Sequence, residues 1–243
     1  MKTSNTTVSS FPTSSDNLLS TNPTDDFGMS TSNVSRTFTK TLPIITEYLK
    51  DFIIWPSSAK IKEQLLMSFR SRYAAVESII DCLEIEIKKP TDPVKQSLTL
   101  SEYKKYGIVN FVSPGYGGRA SDAEIVSNSG YLDYLKPGAA VFADRGFKNV
   151  ENLVVAKKCT LIRPTVSSNK QPTHDEVIVT KRIASLRIHI ERLIRRIREF
   201  HICEPHSCLN VKLIPQMDNI ITIVAALTNL QGSLIKKTCH IRD

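Results

Sequence analysis

Stretches of apolar residues, continuous in some places and alternating in others, predict the strands of this chain. The β-branched run "VESIIDCLEIEI" over 76–87 predicts a strand that passes through Asp81, and its second half alternates apolar with acidic residues. "GIVNFVS" predicts a second strand and "CTLIRP" a fourth. Between these two lies "AAVFAD", whose continuous apolar character predicts a third strand buried on both faces.

Apolar residues at steps of three and four predict helices between and after these strands. The longest runs from Thr180 to Phe200, and Glu191 lies at the edge of its apolar stripe. Shorter helices are predicted over "DAEIVSNSGYLDYL", "VENLVVAKK" and "MDNIITIVAALTNLQ", the last of which stops at Gly232. The chain is therefore predicted to be an α/β protein.

The N-terminal part differs in character from the rest. Residues 1–26 contain twelve Ser or Thr and few large apolar groups, which predicts a disordered tail. From residue 27 to 75 the pattern is helical. Ser30 is predicted to cap a helix over Ser30–Phe38 that is similar to the recognition helix of a helix-turn-helix, although an ordinary capped helix explains it at least as well. An amphipathic helix is predicted to follow from Leu42 to Ile54.

Composition and charge narrow the class of partner. The chain has 243 residues, 41% of them hydrophobic, which is enough to bury one sizeable core, and its net charge is +8. Between residues 181 and 198, seven basic residues accompany a single acid, Glu191. This concentration suits a polyanion such as DNA, while a basic surface that serves only solubility remains the alternative.

Cysteine usage and the apolar profile predict an intracellular protein that does not enter a membrane. The five cysteines are odd in number and scattered, so no disulfide framework is expected, and Cys82 is predicted to face the core. "MKTSNTTVSS" lacks an apolar leader, and "IITIVAAL" is too short to span a bilayer. "HICEPHSC" brings His201, Cys203, His206 and Cys208 together, but steps of two, three and two residues do not match a zinc site.

Three acidic residues lie at the ends of predicted strands or on a predicted helix, where catalytic side chains are expected. Asp81 lies in the first predicted strand, Asp144 ends the third, and Glu191 lies on the long basic helix. Taken singly, each has an ordinary explanation: a strand residue that meets a donor, a cap of the "DRG" turn, and ion pairs with Arg187 and Arg195. Taken together, two aspartates on strands and a glutamate on a later helix follow the order of an RNase H-like nuclease.

That arrangement predicts a catalytic site with two divalent metal ions. Carboxylates are hard oxygen ligands, and converging carboxylates can hold a pair of cations for phosphoryl transfer. Asp81, Asp144 and Glu191 are the predicted catalytic and metal-binding residues. The nearby Arg187, Arg192 and Arg195 are predicted to contact DNA phosphates, or else only to neutralise Glu191.

Several motifs together resemble a known family. They are "IIDCLEIEIKKP", "SEYKK", "FVSPGYGGRASDAEI", "SGYLDYLKPG", "ADRGF", "KRIASLRIHIERLIRRI" and "AALTNLQ". In this combination the chain resembles the DDE endonuclease domain of PIF/Harbinger-like transposases and their domesticated relatives. The resemblance implies an RNase H-like mixed sheet flanked by helices, Mg²⁺ or Mn²⁺ as cofactor, and transposon-end DNA as substrate. It also matches Asp81, Asp144 and Glu191 to the metal-binding acids and Asp122 to an aspartate after a "GG-x-x-SD" turn.

The composition and the resemblance together predict four parts, and the resemblance implies a set of partners. The parts are a tail over 1–26, a helical segment with a remnant helix-turn-helix over 27–75, the endonuclease domain over 76–235, and a tail over 236–243. The expected location is the nucleus. DNA is the expected partner, with a separate DNA-binding protein and self-association left open.

The chain also departs from the family. A strand-forming segment expected between "SEYKK" and "GIVNFVS" is missing, because "YKKYGIVNF" joins the flanks directly. Since a lost strand leaves backbone groups unpaired, we hypothesise that "GIVNFVS" shifts to pair with the strand of Asp81. The departure favours an alternative function, a catalytically inactive descendant that binds DNA or protein.

Overall fold

The computed structural model describes residues 28–63, 73–87, 108–144, 146–164, 188, 191–207 and 209–231. The chain divides into two compact units, Met1–Thr41 and Leu42–Asp243. Both predicted tails lie outside the described residues, and so does most of the predicted long helix before residue 191. The predicted domain boundaries at 26, 75 and 235 stay predictions.

The first described helices contain the predicted cap. Helix α1 covers Thr31–Leu49, and Ser30 Oγ accepts a hydrogen bond from the Asn33 amide at 3.4 Å. The recognition-like segment Ser30–Phe38 is the beginning of this single helix. A short 3₁₀ turn, Lys50–Phe52, follows, and helix α2 covers Ser58–Glu63.

A small parallel sheet of three strands lies at the centre of the described structure. Its order is β1 (Val76–Ile80), β2 (Ala140–Ala143) and β3 (Thr160–Ile162). All five residues of β1 and all four of β2 are buried, which confirms the prediction of a strand covered on both faces for β2. A mixed sheet was expected, and the described part is parallel throughout.

Helices and 3₁₀ turns connect and follow the strands. In chain order they are α3 (Asp122–Asn128), the 3₁₀ turns Tyr131–Asp133 and Lys148–Val150, α4 (Glu151–Ala156), α5 over residues 191–197, the 3₁₀ turns His201–Cys203 and Val211–Gln216, and α6 (Met217–Leu230). The helix predicted over "DAEIVSNSGYLDYL" is divided because Gly130 adopts a left-handed conformation, with φ of 78°. The predicted stop at Gly232 lies outside the described residues.

Apolar side chains form one cluster on each sheet face and a third beside them. Ile80, Val141 and Ala143 pack on one face with residues from α3 and α4. Ile79 and Phe142 pack on the other face. The third cluster joins α5 and α6 to the segment after β1. These three clusters fix the ends of the strands relative to α3 and α5.

The strand predicted to pass through Asp81 is shorter than expected. β1 ends at Ile80, and residues 81–86 are not in a strand. The predicted alternation is present, since Leu83 and Ile85 are buried and Glu84 is exposed. These apolar residues pack in the third cluster with α5 and α6, so burial there does not require a sheet partner.

The prediction of a strand over "GIVNFVS" is wrong, and so is the hypothesis that it pairs with β1. Residues 108–113 form no strand, and β1 is the edge of the described sheet. Val109 is nevertheless buried, and a side chain supplies its backbone partners. Asn229 Oδ1 accepts from the Val109 amide at 2.7 Å, and Asn229 Nδ2 donates to the Val109 carbonyl at 2.7 Å. The apolar run predicts burial, and here Val109 is buried without strand pairing.

One described segment, Val211–Leu230, is long and apolar enough to cross a membrane by length and composition alone. Its buried residues include Met217, Ile220, Ile221 and Val224, which pack against α5 and the segment after β1. Seven of the fourteen residues of α6 are buried, and core helices also pass this test of length and composition.

Candidate active site

Two aspartates lie next to each other at the carboxyl edge of the sheet. Asp81 directly follows β1, Asp144 directly follows β2, and the last residues of these parallel strands, Ile80 and Ala143, are paired. Paired residues of neighbouring strands have Cα atoms about 5 Å apart. Asp81 and Asp144 therefore start from adjacent backbone positions, and both are half-buried.

A third aspartate, Asp122, approaches from the N-terminus of α3. Ser121 caps this helix, its Oγ accepting from the Glu124 amide at 3.2 Å, and an acid in the first turn is favourable there. Asp122 Oδ1 accepts a hydrogen bond from Cys82 Sγ at 3.6 Å. A Cβ placed on Gly146 would lie 3.6 Å from Asp122 Oδ2, so this carboxylate lies beside the segments that follow β1 and β2.

These aspartates open into one pocket of about 290 Å³. Its lining residues are Asp81, Cys82, Glu84, Asp122, Asp144, Gly146, Phe147 and Arg198. The core cluster on the α3 and α4 face of the sheet holds this pocket in place. The lining residue Phe147 belongs to that cluster, together with Ile80, Val126 and Ala143. The position at the carboxyl ends of parallel strands is where open α/β sheets commonly bind ligands.

The thiol of Cys82 lies among the acidic side chains that line the pocket. Burial raises the pKa of Cys82, and the charges of Asp122 and Asp81, the hydrogen bond to Asp122 and the charge of Glu84 raise it further. The thiol is therefore a neutral donor to Asp122 at ordinary pH. The prediction of a core cysteine holds only in part, since Cys82 packs against the core and also lines the pocket. The backbone has left the strand at this point, so strict alternation no longer applies.

Glu191 does not line this pocket. It is exposed on α5, whereas the lining residue from this part of the chain is Arg198, seven residues later. Seven residues are two helical turns, or about 10 Å along the axis, and return to nearly the same side of a helix. Among the described residues Glu191 makes no ion pair with Arg195, so one of its predicted ordinary explanations finds no support there.

The arginines predicted to contact phosphates lie on or before α5. Arg192 and Arg195 are exposed, and Arg187 lies outside the described residues. Leu193 and Ile197 are buried in the third cluster and hold the helix in place. The exposed arginines are therefore available to a ligand in solution, which leaves the predicted contacts open.

The pocket has the type of ligand atoms that a divalent cation needs, but the described acids are not grouped closely enough to bind one. Its carboxylates are the hard oxygen ligands that Mg²⁺ and Mn²⁺ take. In the described part of the chain, however, no three histidine, cysteine, aspartate or glutamate side chains are close enough together to hold a metal ion. Asp81 and Asp144, two of the three predicted ligands, both line the pocket, and no third described acid completes a metal-binding group with them.

The two histidines of "HICEPHSC" contact different acidic residues. His201 Nδ1 lies 3.6 Å from Glu204, and His206 Nδ1 lies 3.0 Å from Glu86. Cys203 is buried, and burial raises its pKa to about 12. Cys208 lies outside the described residues. The described members of this group therefore point to different neighbours.

A comparison with protein families decides the class of protein. Residues 80–229, more than half of the chain, match the family described as DDE superfamily endonuclease. The chain belongs to the DDE superfamily of endonucleases. No curated protein and no solved structure matches it significantly. The matched region begins at the end of β1 and ends in α6, so it includes every residue of the pocket.

Sequence reasoning missed part of the pocket of this DDE superfamily member. Glu84 and Arg198 were not singled out, and Asp122 was noted only through the family resemblance. A signal for Asp122 was present, because "SDAE" places a capping serine before an acid at a helix start. Arg198 carried no such signal, since seven basic residues share its stretch of sequence.

Proposed function

We propose that this chain is a divalent-metal-dependent DNA endonuclease or strand transferase of the transposase type. The observation that carries the proposal is the pair Asp81 and Asp144, one position beyond the paired ends of adjacent parallel strands and in one pocket. Membership of the DDE endonuclease superfamily supports the reaction class, and an endonuclease domain of this kind implies DNA as substrate.

In this proposal Asp81 and Asp144 hold the cation. Bound divalent ions would supply activation of a water or 3′-hydroxyl and stabilisation of the leaving oxygen. Asp122, held by the Cys82 thiol at 3.6 Å, orients the wall of the pocket between the two strands. Glu191 is kept as the third acid on the resemblance alone, and two metal ions are part of the proposal on the same ground.

The finer family assignment is also a proposal. The motifs around Asp144 and Glu191 support a PIF/Harbinger-like origin and an RNase H-like fold. The proposal includes a separate DNA-binding partner, because the recognition-like segment is the beginning of the single helix α1. It also includes action in the nucleus, which follows from a DNA substrate. Self-association is left to measurement by sedimentation.

The decisive test is nicking of supercoiled plasmid DNA in Mn²⁺. We expect the wild-type chain to nick and Asp144→Asn to lose nicking by at least about 10³-fold, because an amide neither carries the charge nor binds the cation as a carboxylate does. Asp133→Asn is the matched control, since Asp133 is exposed and pairs with Lys157 away from the pocket. Equal nicking by the wild type and Asp144→Asn contradicts the catalytic assignment.

One observation favours a second candidate function. The third ligand is not in place among the described residues, and Glu191 is exposed outside the pocket. A descendant that binds DNA or protein without cutting would show this arrangement. Such a protein would shift DNA in a binding assay while leaving the plasmid supercoiled at every Mn²⁺ concentration.

A further inference from the structure

The end of α1 and the 3₁₀ turn after it carry two rows of large apolar side chains. The first row packs on the core, because Leu42 and Ile53 belong to the third cluster and Thr46 Oγ1 donates to the Asn219 carbonyl at 3.3 Å. The second row, called here the 44–54 surface, consists of Ile44, Ile45, Tyr48, Phe52 and Ile54. Packing on the core explains the first row only.

The 44–54 surface is open to solvent. The exposed fractions of its five residues range from 39% for Ile45 to 76% for Tyr48. None of them belongs to a hydrophobic cluster of the residues that the structure describes. Ile44, Tyr48 and Phe52 follow one another at steps of four, which places them on nearly the same side of the helix and its 3₁₀ continuation. An exposed apolar row of this kind marks an interaction surface.

Hydrogen bonds to neighbouring elements hold this surface in place. The Phe52 carbonyl accepts from Asn229 Nδ2 of α6 at 2.9 Å, and the Ile54 carbonyl accepts from Asn110 Nδ2. The backbone below the exposed side chains is thus tied to α6 and to the segment after residue 107. Covering a surface that is already ordered costs little conformational entropy.

The charges beside the 44–54 surface favour a second copy of the chain as its partner. Glu47, Lys50 and Asp51 lie between the apolar residues, and Lys50 pairs with Glu47. Because both signs occur in this short segment, a two-fold axis can place the acids of one copy against the lysine of the other. A partner of one dominant charge would meet like charges here.

The size of the surface fits a weak dimer. Five large side chains that are about half exposed present on the order of 500 Å² of apolar area. Two copies together would cover about 1,000 Å², which is the lower limit for a specific interface. We therefore expect a reversible dimer with a dissociation constant of about 1–100 μM.

We propose that the 44–54 surface joins two copies of this chain, each copy contributing the same face. The inference goes beyond the proposed function and does not depend on it, because no residue of the 44–54 surface lines the pocket. Its test needs neither DNA nor a metal ion, so failure of one proposal leaves the other untouched.

Sedimentation equilibrium of the full chain, with reductant and without DNA, tests the dimer. We expect Tyr48→Glu to weaken it at least about 30-fold, because one substitution puts a charge into both halves of an apolar contact. Ile44→Glu should act in the same way, and Tyr48→Phe should keep the dimer. Val155→Glu is the matched control, since Val155 is 56% exposed on α4 and lies outside the surface. Circular dichroism checks that each variant is folded.

Salt dependence gives a second measurement. Each copy has a net charge of +8, so the copies repel each other, and screening from about 0.05 M to about 0.5 M salt should tighten the dimer several-fold. A wild type that stays monomeric at about 1 mM, or glutamate variants that dimerise as tightly as the wild type, overturn the proposal. A monomeric wild type that binds phosphatidylcholine vesicles, with binding lost in Tyr48→Glu, also overturns it and assigns the surface to a membrane.

Discussion

Burial shifts the protonation of three cysteine thiols in the folded protein. Burial raises the pKa of Cys203 to about 12, and it also raises the pKa of Cys82 and Cys159. An unfolded chain exposes each thiol to water, where its pKa is about 8.5. The folded state therefore retains a proton on Cys203 over a range of pH in which the unfolded state has lost it.

The raised pKa of Cys203 determines whether the free energy of unfolding rises or falls with pH. The pKa of Cys203 is higher in the folded state, so its contribution to stability is complete below about pH 8.5 and is lost as pH rises toward about 12. We expect the free energy of unfolding to fall with pH in this window, about 1.4 kcal/mol per pH unit less steeply in Cys203→Ala than in the wild type. Urea unfolding with reductant at pH 8, 9 and 10 measures this, and equal slopes would contradict it.

Among the helices and strands, the contact between α6 and the segment at Val109 replaces a sheet pairing. The Asn229 amide satisfies both backbone groups of Val109 and also donates to the Phe52 carbonyl at 2.9 Å. A neighbouring strand would bond a residue in the same way, through one donor and one acceptor. One side chain thus satisfies the buried backbone of Val109 outside the sheet.

The strength of this contact can be measured by mutation. Asn229→Ala leaves the polar groups of the buried Val109 without partners, so we expect a loss of about 2–4 kcal/mol in the free energy of unfolding. Asn128→Ala is the matched control, since Asn128 is exposed at the end of α3 and should change stability by less than about 0.5 kcal/mol. Urea denaturation compares the two, and an Asn229→Ala variant as stable as the control would refute the role.

The same element shows why sequence reasoning placed β2 correctly and Val109 wrongly. An apolar run reports burial, and for β2 burial coincides with pairing on both sides, to β1 and β3. For Val109 burial comes from packing against α6, and the partner is an asparagine 120 residues away. Local pattern carries no information on such a partner. The overlong prediction for β1 has the same cause, because Leu83 and Ile85 are buried against α5 and α6.

In the molecule as a whole, local signals located the acids, while their convergence depended on topology. Asp81 and Asp144 each follow a buried apolar run, and parallel pairing brings such positions together at one edge. Asp122 joins them because α3 packs on the same cluster. Glu191 depends on the register of α5 against the core, which an apolar stripe does not specify to within a turn. The resemblance assigned it to the triad, and the described arrangement leaves it about two turns from the lining residue Arg198.

Cation binding can test whether Asp144 lies at the metal site and Glu191 lies outside it. A cation that binds only the folded state stabilises it, by about 1.4 kcal/mol at ten times its dissociation constant, which raises Tm by roughly 3–6 °C at this size. We expect Mn²⁺ to raise Tm in the wild type and not in Asp144→Asn, because Asp144 lines the pocket. Glu191→Gln should keep most of the rise, since its exposed side chain lies outside the pocket. Differential scanning fluorimetry with and without Mn²⁺ measures these shifts in Tm. If Mn²⁺ does not raise the Tm of Glu191→Gln, the glutamate lies close to the aspartates in solution.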